Sequence, residues 1–146
     1  MDCAYHFKTR ETFLKLCLEK LTHEGKVSLA DMILTKKPQG FLAKLFLRVF
    51  CKAGNIPYEN MVDPQEYVAM LKRLGYVDIK MEYIENYVFM GLSDYIQQHK
   101  KSLQLFVPGY KWIKLDIMRY LLKVVDATHF LRFVIVTASK KHFVDR

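Results

Sequence analysis

The chain has 146 residues, 51% hydrophobic and 14% aromatic, a composition that suits one globular domain over 1–146 and excludes a disordered or low-complexity polypeptide. Its 23 basic and 15 acidic residues give a formal net charge of +8, which favours anionic partners at encounter without fixing a fold. The basic residues are dispersed, with no long basic run and no RNA-binding aromatic signature, so no specific nucleic-acid signal is read. Cys3, Cys17 and Cys51 have no Cys-x-x-Cys spacing, which points away from a disulfide framework or a zinc site and toward a reducing, cytoplasmic setting. His6, His23, His99, His129 and His142 are isolated from one another, so no metal ligand set is expected. No apolar run approaches the roughly 20 residues of a membrane-spanning helix, and a soluble or peripheral protein is expected.

In chain order, Asp2-Cys3-Ala4-Tyr5-His6-Phe7-Lys8-Thr9-Arg10 gathers a carboxylate, a thiol, a phenol and an imidazole just before a helical pattern. It reads as a strand stub over 1–4 turning into a helix with Thr9 as N-cap. Ligand-binding groups collect at such junctions in open α/β sheets, although a packed surface turn accounts for the same cluster. Phe13, Leu14, Cys17, Leu18 and Leu21 form one helical stripe, ended by Gly25. Residues 26–34 read as a strand covered on both faces, parallel to the stub across a right-handed crossover. Asp31 is the odd residue there, and must be hydrogen-bonded, near the strand end, or functional.

A helix over 41–53 follows, with Phe41, Leu42, Leu45, Phe46, Val49 and Phe50 apolar and Lys44, Arg48 and Lys52 on the opposite side. Two readings stand: a core helix with snorkelling cations, or a helix lying on an anionic membrane or capping an apolar pocket. Pro57 makes 55–61 a loop. Asp63 and Pro64 then start a helix that Gly75 ends. Val77, Ile79, Met81 and Tyr83 alternate with Asp78, Lys80 and Glu82, the pattern of an edge strand with one wet face. Helical patterns over 87–99 and 111–125 precede a mostly apolar strand over 128–138, read as interior although it carries Arg132.

With these segments in place, the chain resembles the C-terminal half of a class I S-adenosylmethionine-dependent methyltransferase of the small-molecule type. The stretch from Asp2 to Arg10 resembles the turn after that family's fourth strand, and Gly25-Lys26-Val27-Ser28-Leu29-Ala30-Asp31 its fifth strand. Leu71-Lys72-Arg73-Leu74-Gly75-Tyr76-Val77-Asp78-Ile79 is similar to the helix leading into its sixth strand. The resemblance implies an α/β fold, a partial Rossmann-like sheet with helices on both faces. In it the last strand inserts antiparallel between the fifth and sixth.

It further implies S-adenosyl-L-methionine as cofactor, Cys3 and Ala4 along the cofactor, and Tyr5 and His6 where a base or acceptor-orienting group acts. A small or lipid-like acceptor would be covered by the later helices, with Tyr58, Met61, Tyr110 and Trp112 as candidate pocket residues. Ordinary packing is the alternative for these four. The family's Gly-rich turn has no counterpart, since none of the six glycines lies close enough to another to build it. The chain is therefore expected to be a truncated form, inactive alone, with weak or absent cofactor binding. An exposed sheet edge should invite self-association or a protein partner. The competing expectation is a non-catalytic binding or scaffold module that contacts a membrane surface or a partner through 41–53.

Overall fold

The computed structural model describes residues 4–84, 88–103 and 105–141. Thr9 Oγ1 accepts the Thr12 N–H at 3.3 Å and starts α1 (Arg10–Lys20), so one of the unpaired donors of the first turn is satisfied. The strand β1 (Lys26–Leu34) leads to α2 (Gly40–Gly54), which closes on Asn55 in the left-handed region at φ 54°. Asp63 Oδ1 accepts the Glu66 N–H at 2.9 Å to open α3 (Pro64–Leu74), and Gly75 ends it at φ 102°, where a side chain would be strained. β2 (Tyr76–Ile84), α4 (Val88–Leu103), α5 (Gly109–Thr128) and β3 (Leu131–Lys140) complete the order.

Among the described residues the sheet has three strands in the order β1-β3-β2, with β3 antiparallel to both neighbours. The last strand is thus interior and β2 an edge, as the apolar run and the alternation predict. A bulge between Val77 and Lys80 places Asp78 at φ 51° and leaves the alternate wet face of β2 outward. Helices cover both faces. Leu29, Ile33, Val134, Val136 and Ala138 bury one face under α1 and α3, while Met32, Leu34, Leu131 and Phe133 bury the other under α2, α4 and α5.

Three sequence expectations are refined. Residues 1–3 of the stub lie outside the described residues, and Ala4–His6 forms a 3-10 turn; every described strand pairing is antiparallel. The loop over 55–61 contains a second 3-10 turn at Tyr58–Asn60, because Pro57 sits at φ −58° and its carbonyl accepts the Asn60 N–H at 3.0 Å. In α2 the buried residues are Leu47, Phe50 and Cys51, whereas Phe41, Leu42, Leu45 and Val49 are exposed. That helix is apolar almost all round, so periodicity alone does not select its inner face.

Asp31 has found partners rather than solvent. Its carboxylate is fully buried, with Arg10 Nε 3.0 Å from Oδ2, Arg10 Nη2 donating to Oδ1 at 3.2 Å, and the Tyr67 hydroxyl donating to Oδ2 at 2.7 Å. Removing Arg10 alone leaves a buried, uncompensated carboxylate, which costs about 3–5 kcal/mol. Arg10→Met should therefore lower stability in urea unfolding far more than the triple variant R10M/D31L/Y67F, which removes every charge together.

Alkaline pH gives a second check. Burial pushes the Tyr76 phenol up to about 12, and burial followed by the Glu59 charge pushes the Cys51 thiol up to about 11. Tyr67 rises too, through desolvation first and the Asp31 charge second. A raised acid holds its proton better in the folded state, so its contribution is complete below the unfolded value and is lost as pH climbs toward the folded one. The urea midpoint should fall progressively from pH 9 toward pH 12. Phenolate absorbance should show two tyrosines ionising only as the chain unfolds.

Candidate functional site

The turn that carries Tyr5 and His6 lies against β1 and is fixed by two asparagines. Asn60, itself buried, donates from Nδ2 to the Tyr5 carbonyl at 2.9 Å and to the Phe7 carbonyl at 2.7 Å. Both amide hydrogens are thereby used on one short segment. Asn55, the left-handed cap of α2, offers its carbonyl oxygen 3.2 Å from His6 Nδ1, and its Oδ1 accepts from Lys114 Nζ at 3.1 Å. A carbonyl can only accept, so Nδ1 carries the proton and the neutral ring keeps its lone pair on Nε2. The Tyr5 ring packs on His6 at 4.4 Å between centroids and meets Phe133 edge-on at 5.9 Å.

The turn forms the inner end of an apolar cleft. Its inner part, about 370 Å³, has Met32 and Phe133 of the sheet as floor, Phe50 and Gly54 of α2 as one wall and Phe89 of α4 as the other. Its outer part, about 770 Å³, runs between α4 and α5 past Tyr95, Tyr110, Lys111 and Lys114. Leu92 and Met118 line both parts, so the two adjoin across these side chains. A side chain at Gly54 would come within 3.0 Å of Ile56 and 3.3 Å of Met118, narrowing it. Beyond the lining, Lys100 bonds Asp116 at 2.7 Å and, with Arg119, holds that carboxyl below the usual range, tying α4 to α5. Among the described residues the lining contains no carboxylate; its ionisable groups there are His6, tyrosines and two lysines.

The structure brings Tyr5, His6 and Tyr110 to this cleft. Met61 lies in the core beside it, Tyr58 is exposed on its 3-10 turn, and Trp112 is buried with the Lys100 ammonium 5.6 Å from its ring centre. None of these three lines the cleft. Cys3 lies outside the described residues, and Ala4 is fully buried in the core beneath α1 and α3. The described residues do not by themselves fit S-adenosylmethionine: among them the cleft shows no acidic group for a ribose, and the sequence has no paired glycines for the methionine end. They do fit an apolar molecule. Asn55 and Asn60 went unread in the sequence; only Gly54-Asn55 at the end of an apolar run carried a signal, that of a left-handed helix cap.

No family model and no curated protein matches the chain. Solved structures do. Haemonchus contortus phosphoethanolamine N-methyltransferase 2 in complex with S-adenosyl-L-methionine superposes with a TM-score of 0.72 at 15% identity, covering 95% of this chain and 31% of that one. The same enzyme with phosphomonomethylethanolamine and S-adenosylhomocysteine gives 0.68 at 16% identity over 95% of this chain and 32% of that one. The cyclopropane synthase MmaA2 from Mycobacterium tuberculosis gives 0.69 at 13% identity, over 89% and 49% of the two chains. The chain thus spans about a third to a half of the length of these proteins. At such identities the likeness is one of fold: the chain shares the fold of part of these proteins, which is the α/β architecture the sequence resemblance implies.

The two asparagines are separable experimentally. Asn60→Ala leaves two carbonyls of a part-buried turn without a donor and should cost about 1–3 kcal/mol in urea unfolding. Asn55→Gly keeps the left-handed backbone and its carbonyl, so stability should be nearly unchanged, whereas Asn55→Val is strained at φ 54° and should lose stability.

Proposed function

We propose that this chain forms the acceptor-binding part of an S-adenosylmethionine-dependent methyltransferase, acting on a small or lipid-like molecule. The observation that carries the reading is the apolar pocket lined by the Tyr5–His6 turn, with a larger apolar pocket adjoining it, on a fold shared with methyltransferases. Methyl transfer asks for an acceptor held in line with the donor, removal of the acceptor's proton where it has one, and exclusion of water. Met32, Phe50, Phe89 and Phe133 exclude water. The carbonyl of Asn55 holds the His6 tautomer in which Nε2 is the base, and the Tyr5 phenol beside it is suited to orienting the acceptor. S-adenosyl-L-methionine supplies the methyl group in this reading, held by groups other than the described residues of the cleft.

Two measurements test this. Calorimetry on residues 1–146 should show little or no S-adenosylmethionine binding, because the cleft offers neither the glycines nor the acid that the cofactor needs. In a protein with the Gly-rich half of the fold supplied, His6→Ala should lower kcat by about 10²–10⁴-fold, the usual contribution of a general base. Undiminished turnover in that variant removes His6 from the mechanism.

A further inference from the structure

The outer face of α2 does nothing for the cleft, and its chemistry is distinctive. The helix is 15 residues long and contains no acidic residue. Its inner side, with Leu47, Phe50 and Cys51, belongs to the core. Its outer side leaves Phe41 77%, Leu42 79%, Leu45 44% and Val49 44% exposed. At about 100° per residue these four occupy one arc of about 100°, and Lys44, Arg48 and Lys52, all exposed, occupy the arc beside it and overlap its edge. None of the three cations forms an ion pair among the described residues. We propose that α2 docks the protein on an anionic phospholipid surface, with Phe41, Leu42, Leu45 and Val49 entering the interface and Lys44, Arg48 and Lys52 reaching the phosphates.

The charge pattern selects this occupant. An apolar strip beside a purely cationic one complements a bilayer whose tails lie below a layer of negative headgroups, and the long methylene stems of Lys and Arg let their charges stay at headgroup level. A second copy of the chain is disfavoured, because a symmetric contact through α2 would set three cations against three cations. No described helix is long and apolar enough to cross a membrane, so the contact is of the interfacial kind. The proposal is independent of any methyltransferase activity, since no residue it uses lies in the cleft.

Co-sedimentation of the full chain with vesicles tests it. Binding is expected to vesicles of phosphatidylcholine with phosphatidylserine and to be much weaker to phosphatidylcholine alone, and it should fall steeply with salt. K44A/R48A/K52A should weaken binding by about 100-fold, at roughly fivefold per cation. F41S/L42S should weaken it by about 100-fold. K15A/K20A/K72A removes the same charge from the α1 and α3 layer and should retain most of the binding. All these positions are exposed, and Arg48→Glu alone should act in the same direction, with circular dichroism confirming the fold of each variant. Equal binding to both vesicle types, no binding to either, or equal losses from the two triple variants would overturn the proposal. So would a stable dimer in light scattering that Leu45→Glu dissociates, which would assign the face to a second copy.

Discussion

The ion pair between Arg10 and Asp31 is the contact on which the placement of everything else depends. Both side chains are almost wholly withdrawn from water; the carboxylate is well partnered, whereas Arg10 Nε and Nη1 make no hydrogen bond, so the attraction between the two charges carries that side of the pair. Here the carboxylate accepts from Arg10, from the Tyr67 hydroxyl and from the Met32 N–H at 2.9 Å, while Arg10 Nη2 also reaches the Met32 carbonyl at 3.2 Å and the guanidinium lies 4.8 Å from the Tyr67 ring centre. These contacts join α1, β1 and α3 at one point. Since Arg10 is the first residue of α1, the same contact fixes where the preceding turn can run.

That turn straddles the sheet. Ala4 and Phe7 pack into the core beneath α1 and α3, whereas Tyr5 packs with the core on the other side. The division of labour between layers follows. One layer, closed by the ion pair and by the Tyr76 hydroxyl on the Leu14 carbonyl at 2.8 Å, is a tight scaffold. The other, in which α4 and α5 pack on each other, holds the cleft, and among the described residues Tyr5 and His6 are where the turn presents chemistry to it.

What could be read from the sequence was local. Thr9, Asp63-Pro64 and Gly75 set helix ends through contacts spanning a few residues, and β2 and β3 declared their edge and interior positions by which of their side chains are apolar. Asp31 was legible as a residue needing partners, but Arg10 and Tyr67 lie 21 and 36 positions away and no spacing rule joins them. Direction was the harder quantity. Tyr110 and Trp112 are both aromatic, yet two positions along a helix turn side chains about 200° apart, so one reaches the cleft while the other enters the helix packing. The asparagines that hold His6 and Tyr5 bond to backbone carbonyls, a role that any polar residue type conceals in sequence.

The same reasoning bears on α2, the element with two apolar sides. Its inner side contributes burial to the core and, through Phe50 and Gly54, a wall to the cleft. Its outer side contributes almost nothing to folding, because apolar surface stabilises only when it leaves water. Isolated exposed apolar residues need no explanation, but four on one arc of one helix, beside three cations and no anion, form a contiguous patch of the kind that marks an interaction surface. The free energy held in that face is released only against a second surface, and the helix that meets it is the one that walls the cleft. A contact on the outer side of α2 and a ligand on its inner side therefore act on a single rigid element, anchored at its C-terminal end by the Asn55 bonds to His6 and Lys114.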